Sequence, residues 1–113
     1  MTTIYIAITL FGLTAVLGLY LISLLLRNKS TPQGVTIIHG TMAAIALIIL
    51  IIYAFKQTAG PWPSITVFTI AAAGGFTLHY RNLTGKSVPK WLAITHGLLA
   101  ISGFGLLLWF AFY

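Results

Sequence analysis

The chain has 113 residues, enough for one domain, and 59% of them are hydrophobic while only 5% are charged. It contains no Asp, Glu or Cys, although its net charge is +6. The missing carboxylates argue against hydrolytic sites and proton-coupled transport, and the missing cysteines exclude disulfides, thiolate metal sites and covalent c-type haem attachment. Such a composition predicts an integral membrane protein.

Four apolar windows predict four transmembrane helices. The windows are Thr3–Leu26, Val35–Phe55, Ser64–Tyr80 and Trp91–Tyr113. Each has a length within the roughly 17 to 25 residues that cross a bilayer as helix. The first window is expected to be a retained helix, because positive charge follows it and a signal peptide would carry that charge in front. Short connections make successive helices antiparallel neighbours, so the predicted fold class is all-α, an integral membrane four-helix up-down bundle.

The sequence repeats itself at a shift of 57 positions. Over Ile8–Phe55, 17 of 48 aligned positions are identical without a gap. The most specific match pairs Lys29–Gly40, KSTPQGVTIIHG, with Lys86–Gly97, KSVPKWLAITHG. We interpret the pattern as a two-fold repeat of a helical hairpin within one domain, 1–113, with repeat 1 at 1–56 and repeat 2 at 57–113. Because each hairpin would cross the membrane twice, the copies are expected to be related by an axis along the membrane normal.

Basic residues are concentrated after the first and third windows. Five of the six, Arg27, Lys29, Arg81, Lys86 and Lys90, lie there, and Lys56 alone lies at the other end. The positive-inside rule then predicts cytoplasmic basic loops with both termini outside, as in a bacterial-type inner membrane. The positive charge therefore indicates orientation in a lipid bilayer, and a second role of these residues as counter-charges to haem propionates stays open. No nucleic-acid partner is expected.

Two histidines occupy matched positions in the repeat. His39 and His96 each lie seven residues beyond a proline, which places both about 10 Å along their helices. A neutral imidazole is a ligand of haem iron, and an ionisable residue inside a membrane is a candidate functional site. Equal depth on diagonal helices predicts that both rings bind one iron. The alternative is that each histidine only hydrogen-bonds a neighbouring helix.

Small residues continue the helix faces that carry the histidines, and we expect them to leave a slot for a flat ring. They are Ala43, Ala46, Ala100 and Gly103. Leu50 and Leu107 are expected to close this slot below. Gly18 and Gly75 lie at about the same depth as the histidines and are expected to let a ring edge approach the backbone. The alternative for these small residues is ordinary membrane helix packing.

His79 has no twin in the repeat, because Ile22 occupies the equivalent position. It follows Gly75 by one helical turn and so shares its inward face. We interpret His79, together with Arg81, as a partner for a haem propionate at the cytoplasmic edge. The alternatives are a plain interfacial histidine and a replacement axial ligand.

The four predicted helices with His39 and His96, supported by Gly18 and Gly75, resemble the b-type cytochromes. In that family, histidines on the second and fourth helices of a membrane bundle hold haem across the core. The resemblance implies haem b, one per chain, and a quinone or a redox protein as partner. The chain departs from respiratory members of the family, which carry a second histidine about four turns further along. Here those positions hold Ile52, Tyr53, Trp109 and Phe110, so one haem is expected.

Three functions remain open. The first is single-electron transfer by a bis-histidine haem, in an electron carrier rather than a self-contained enzyme. The second is haem handling, sensing or assembly without redox turnover, which the missing second histidine pair favours. The third is a cofactor-free small transporter or structural subunit, although duplication in parallel orientation argues weakly against transport by inverted repeats.

Overall fold

The computed structural model describes residues 2–113 as four α-helices joined by short connections. They are α1 (Thr2–Leu26), α2 (Gln33–Phe55), α3 (Trp62–Leu83) and α4 (Lys90–Phe112). No strand occurs among the described residues. The all-α prediction is confirmed, and each helix coincides with its apolar window to within a few residues at either end.

The four helices form a bundle in which neighbours in sequence are neighbours in space. The closest packing joins α1 to α2 and α3 to α4, and looser packing joins α1 to α4 and α2 to α3. Among the described residues the backbones of α2 and α4 do not approach each other, so these two helices lie diagonally across the core, as do α1 and α3. The bundle is 44 Å long and 23 by 20 Å across.

One end of the bundle, which we call the basic end, is formed by the connections 27–32 and 84–89. Helices α1 and α3 finish there in the same turn, with Asn28 and Gly85 in the left-handed region at φ 58° and 72°. The backbone N–H of the next residue, Lys29 or Lys86, then donates across a 2.9 Å hydrogen bond to a carbonyl five residues earlier. These bonds satisfy carbonyls that the helix end would otherwise leave unpaired.

Three helices, α1, α2 and α4, are long and apolar enough to cross a membrane. Helix α3 has 22 residues, but it ends in the polar stretch TLHYRNL and does not reach the same hydropathy. Its outward side chains nevertheless include exposed Ile70 and Phe76. Length and hydropathy thus support three of the four predicted spans.

The hydrophobic core fills the half of the bundle away from the basic end. Its buried members are Ile4, Ala7, Phe11, Ala46, Leu50, Tyr53, Ala54, Ile65, Phe68 and Leu107. At the edge of this core, Phe11 and Phe68 stack face to face, with ring centroids 3.9 Å apart and ring planes 2° from parallel. The other half of the bundle is less densely filled and contains the candidate site.

Candidate functional site

The half of the bundle nearer the basic end encloses a cavity of about 900 Å³ lined by all four helices. Small-molecule and cofactor sites usually measure roughly 300 to 1,000 Å³ and are mostly apolar, as this one is. Seven of the residues predicted for the site line it: His39, His96, Gly18, Gly75, Ala43, Ala100 and His79. The eighth, Arg81, lies outside the lining, because its Nε donates to the carbonyl of Ser87 at 2.8 Å.

Each imidazole is held by the other helix of its own hairpin. The Nδ1 atom of His39 lies 2.9 Å from the carbonyl oxygen of Thr14, and Nδ1 of His96 lies 2.7 Å from that of Ala71. Because a carbonyl can only accept, Nδ1 carries the hydrogen in both rings. The Nε2 atom of the neutral ring then keeps a free lone pair, and a ring in this tautomer can bind a metal through Nε2.

The two glycines make these hydrogen bonds possible. A β-carbon on Gly18 would lie 2.9 Å from Cε1 of His39, and one on Gly75 would lie 2.8 Å from Cε1 of His96. Each glycine follows the accepting residue by four positions, so it lies beside that carbonyl on the same helix face. A larger residue would push the imidazole away from the carbonyl. The glycines therefore make room for the histidine rings, whereas the sequence predicts that the edge of a ligand fills this space. We call each histidine with its accepting carbonyl and its glycine a histidine seat.

The two imidazoles meet inside the bundle, with ring centroids 6.2 Å apart and ring planes at 78°. An imidazole nitrogen binds a transition metal at about 2.0 to 2.1 Å, and it lies about 1.1 Å from its ring centre. Two rings on opposite sides of one metal would thus have centres about 6.3 Å apart. The observed distance between the ring centres is close to this value.

The stacked phenylalanines form the floor of the cavity. Phe11 and Phe68 both line it, while Leu50 and Leu107 lie below them in the core and do not. The prediction that the leucines close the slot is therefore wrong. The ring of Phe68 packs where Gly103 lacks a side chain, since a β-carbon there would lie 3.0 Å from the ring. Gly103, which was expected to leave room for a ligand, instead leaves room for the ring of Phe68.

Polar groups gather where the cavity opens at the basic end. Its lining there includes Lys29, Ser30, Thr31, His79 and Asn82. Among the described residues, Nδ1 of His79 is buried without a hydrogen-bond partner. Lys29 and Asn82 were not predicted as site residues. Comparison of Asn82 with its apolar equivalent Leu25 in the repeat is the signal that could have identified it.

Comparisons with protein-family models, with curated proteins and with solved structures found no significant match to this chain. The function of the cavity must therefore be inferred from its own residues, of which the paired imidazoles are the most specific.

Proposed function

We propose that the chain is an integral membrane haem protein of the b type, in which one haem is bound between His39 and His96 and takes part in single-electron transfer. The duplicated histidine seat carries this proposal. Each ring donates through Nδ1 to a backbone carbonyl and so keeps Nε2 free, and the centres of the two rings lie 6.2 Å apart. A histidine that only linked two helices would need no partner of its own kind at that distance.

The ligand set favours haem over a bare metal ion. Within the described residues no group of three or more His, Asp or Glu side chains comes together. Protein sites for zinc and similar ions use three or four such ligands, so two imidazoles alone would bind them weakly. A porphyrin brings four nitrogens of its own and needs only the two axial ligands that the chain offers. The cavity between the helices is also large enough for a cofactor.

The exterior supports placement in a membrane. Three helices have the length and hydropathy of spans, and large apolar side chains face outward on every helix. With a length of 44 Å, the bundle exceeds the ~30 Å hydrocarbon thickness of a bilayer. The two histidine seats are related by the same 57-position shift as the sequence, which supports a tandem duplication. Cytoplasmic basic loops and external termini complete the proposed arrangement.

The protein's part in the reaction is to hold and tune the cofactor. The haem iron supplies the one-electron couple. The hydrogen bonds from Nδ1 fix the orientation of both imidazoles. The apolar walls exclude water, and the complete absence of carboxylates favours the reduced, less positive form of the iron. A quinone or a redox protein would exchange the electron at the basic end.

The decisive experiment is a visible spectrum of the purified protein, with pyridine haemochrome quantitation. We expect one haem b per chain and a low-spin, six-coordinate spectrum. His39→Ala or His96→Ala should each abolish that spectrum or leave a five-coordinate, high-spin haem that binds carbon monoxide. Thr95→Ala is the matched control, because Thr95 is exposed beside His96 and its hydroxyl bonds only its own helix. A wild-type spectrum in His39→Ala, two haems per chain, or a colourless protein from haem-replete cells would refute the proposal.

Haem handling without electron transfer is the second candidate. It is favoured because the cavity is open to the surroundings between the helices. Several lining residues are about half exposed or more, among them Ile37, Phe76 and Leu98, so the cavity communicates with the outside between the helices. A carrier should release haem readily to apo-myoglobin, whereas an electron carrier should retain it through many redox cycles.

A further inference from the structure

The two sides of the cavity opening differ in polarity although the repeat relates their positions. The equivalent residues that line the cavity near the basic end include three pairs: Ile22 with His79, Leu25 with Asn82, and Val88 with Thr31. In each pair one member is apolar and the other can hydrogen-bond. Ordinary packing of two equal hairpins gives no reason for this difference.

The helix order collects the polar members on one side. His79 and Asn82 lie at the end of α3, and Thr31 directly precedes α2, which packs beside α3. Their apolar equivalents lie at the end of α1 and just before α4, which also pack together. The opening therefore has a polar side between α2 and α3 and an apolar side between α1 and α4.

A positive charge lies at the same opening, in the connection between α1 and α2. Lys29, in the connection that leads into α2, lines the cavity, whereas its equivalent Lys86 does not, although both follow the same left-handed turn. No side chain in the sequence is negatively charged, so Lys29 has no anionic partner within its own chain. Nδ1 of His79 is likewise buried without a partner among the described residues. An unpaired buried polar group costs free energy, and a ligand that bonds it removes that cost.

We propose that Lys29, His79 and Asn82 form a recognition site for a carboxylate of the ligand, so that the cavity accepts its ligand in one orientation only. The inference rests on the proposed function, under which the carboxylates are haem propionates. With the propionates directed toward α3, a half-turn about the axis of the repeat would exchange the two histidines and direct the propionates toward α1, on the apolar side. The polar side selects between these two otherwise equivalent orientations.

The test compares haem with its dimethyl ester, which lacks the negative charges, in reconstituted full-length protein. Proton NMR of the ferric form resolves the ring methyl groups, so each orientation gives its own set of signals. Wild type should give one set with haem and two sets with the ester. The variant His79→Ile/Asn82→Leu, which installs the residues of the apolar side, should give two sets with haem. Lys29→Gln should weaken haem binding by about tenfold or more and leave ester binding unchanged.

Lys86→Gln is the matched control, because it removes an equivalent charge outside the cavity and should alter neither orientation nor affinity. Lys29 is exposed, so its substitution is not expected to disturb folding. An equal mixture of orientations in wild type, or equal effects of Lys29→Gln and Lys86→Gln, would overturn the inference while leaving haem binding intact. Absence of haem binding in wild type would instead refute the proposed function, and this inference with it.

Discussion

The ring of His39 lies against the backbone of α1 at Gly18, where a β-carbon would come within 2.9 Å of the imidazole Cε1. His96 stands in the same relation to Gly75, at 2.8 Å. Real β-carbons do not tolerate contacts this short, so the ring or the helix would have to move. The imidazoles thus keep their positions only because Gly18 and Gly75 lack the methyl group of an alanine. Substitution of these two glycines is therefore the most direct test of the site.

We predict that Gly18→Ala and Gly75→Ala each displace the facing imidazole and break its hydrogen bond to the carbonyl one turn earlier. Loss of such an outer partner typically weakens metal binding by roughly 10- to 100-fold. Haem affinity should fall by that order, with a growing high-spin fraction, as measured by haem titration and visible spectroscopy. Unchanged affinity in both variants would show that the seats do not position the ligands.

Gly105→Ala supplies the control for helix propensity and surface exposure. Gly105 lies in α4, is exposed, and has nothing within 4 Å of its missing β-carbon. Alanine favours an α-helix over glycine by roughly 1 kcal/mol, so this variant should keep the wild-type spectrum and lose no stability.

The angle of 78° between the two imidazole planes predicts a particular ferric spectrum. Near-perpendicular axial rings leave two iron d orbitals close in energy, which gives a low-spin paramagnetic resonance signal with one large g value. Parallel rings separate those orbitals and give three well-resolved g values. We expect the first type of signal from frozen ferric protein, because each ring is fixed separately by its own helix pair. Observation of the second type would mean that the rings reorient on binding.

The stacked pair beneath the cavity should contribute mainly to stability. Phe11 and Phe68 are each 6% exposed, and truncation of a buried phenylalanine costs about 3 to 5 kcal/mol. Phe11→Ala and Phe68→Ala should therefore lower the free energy of unfolding by that order in denaturant titrations in detergent. Phe55→Ala, at a position 76% exposed, should cost much less. Equal losses in the buried and exposed variants would argue against the stacked floor.

The distribution of charge predicts how the bundle lies in a membrane. Five of six basic residues are at one end, so that end should face the cytoplasm and Tyr113 the outside. Alkaline phosphatase fused after Tyr113 should be active, and green fluorescent protein fused there should be dark. The reverse result would contradict an external C-terminus, and a further fusion in the connection 56–61 would then distinguish an inverted bundle from one in which α3 does not cross.

Much of the fold could be predicted because hydropathy alone delimits the helices. The windows found α1 and α4 almost to the residue, since polar connections and prolines interrupt the apolar runs sharply. Helix α3 is the exception, because the sequence predicts a span over Ser64–Tyr80, whereas the helix extends into the polar stretch TLHYRNL and has a lower hydropathy than the other three. The pairing of His39 with His96 could be anticipated from the repeat, and the structure does bring the two rings together.

The hydrogen-bond partners of the histidines could not be predicted, because they are backbone atoms that every residue has. The carbonyl oxygens of Thr14 and Ala71 accept the imidazole hydrogens, yet every residue carries such a carbonyl, and here a threonine and an alanine serve equally well. The floor was missed for a different reason. In the sequence, Phe11 and Phe68 look like ordinary core residues, and only the packing of the helices shows that their rings stack across the bundle.

Each histidine donates its hydrogen bond within its own hairpin, His39 to α1 and His96 to α3, so each hairpin holds its own imidazole without the other. The connection 56–61 between the hairpins contributes nothing to either half. Cutting the chain there should leave two fragments that reassemble around haem, with the cofactor acting as the link that the peptide no longer provides. If the 57-position repeat arose by duplication of one hairpin and the chain binds haem as proposed, two separate copies of that hairpin could have held the ring before a fusion joined them.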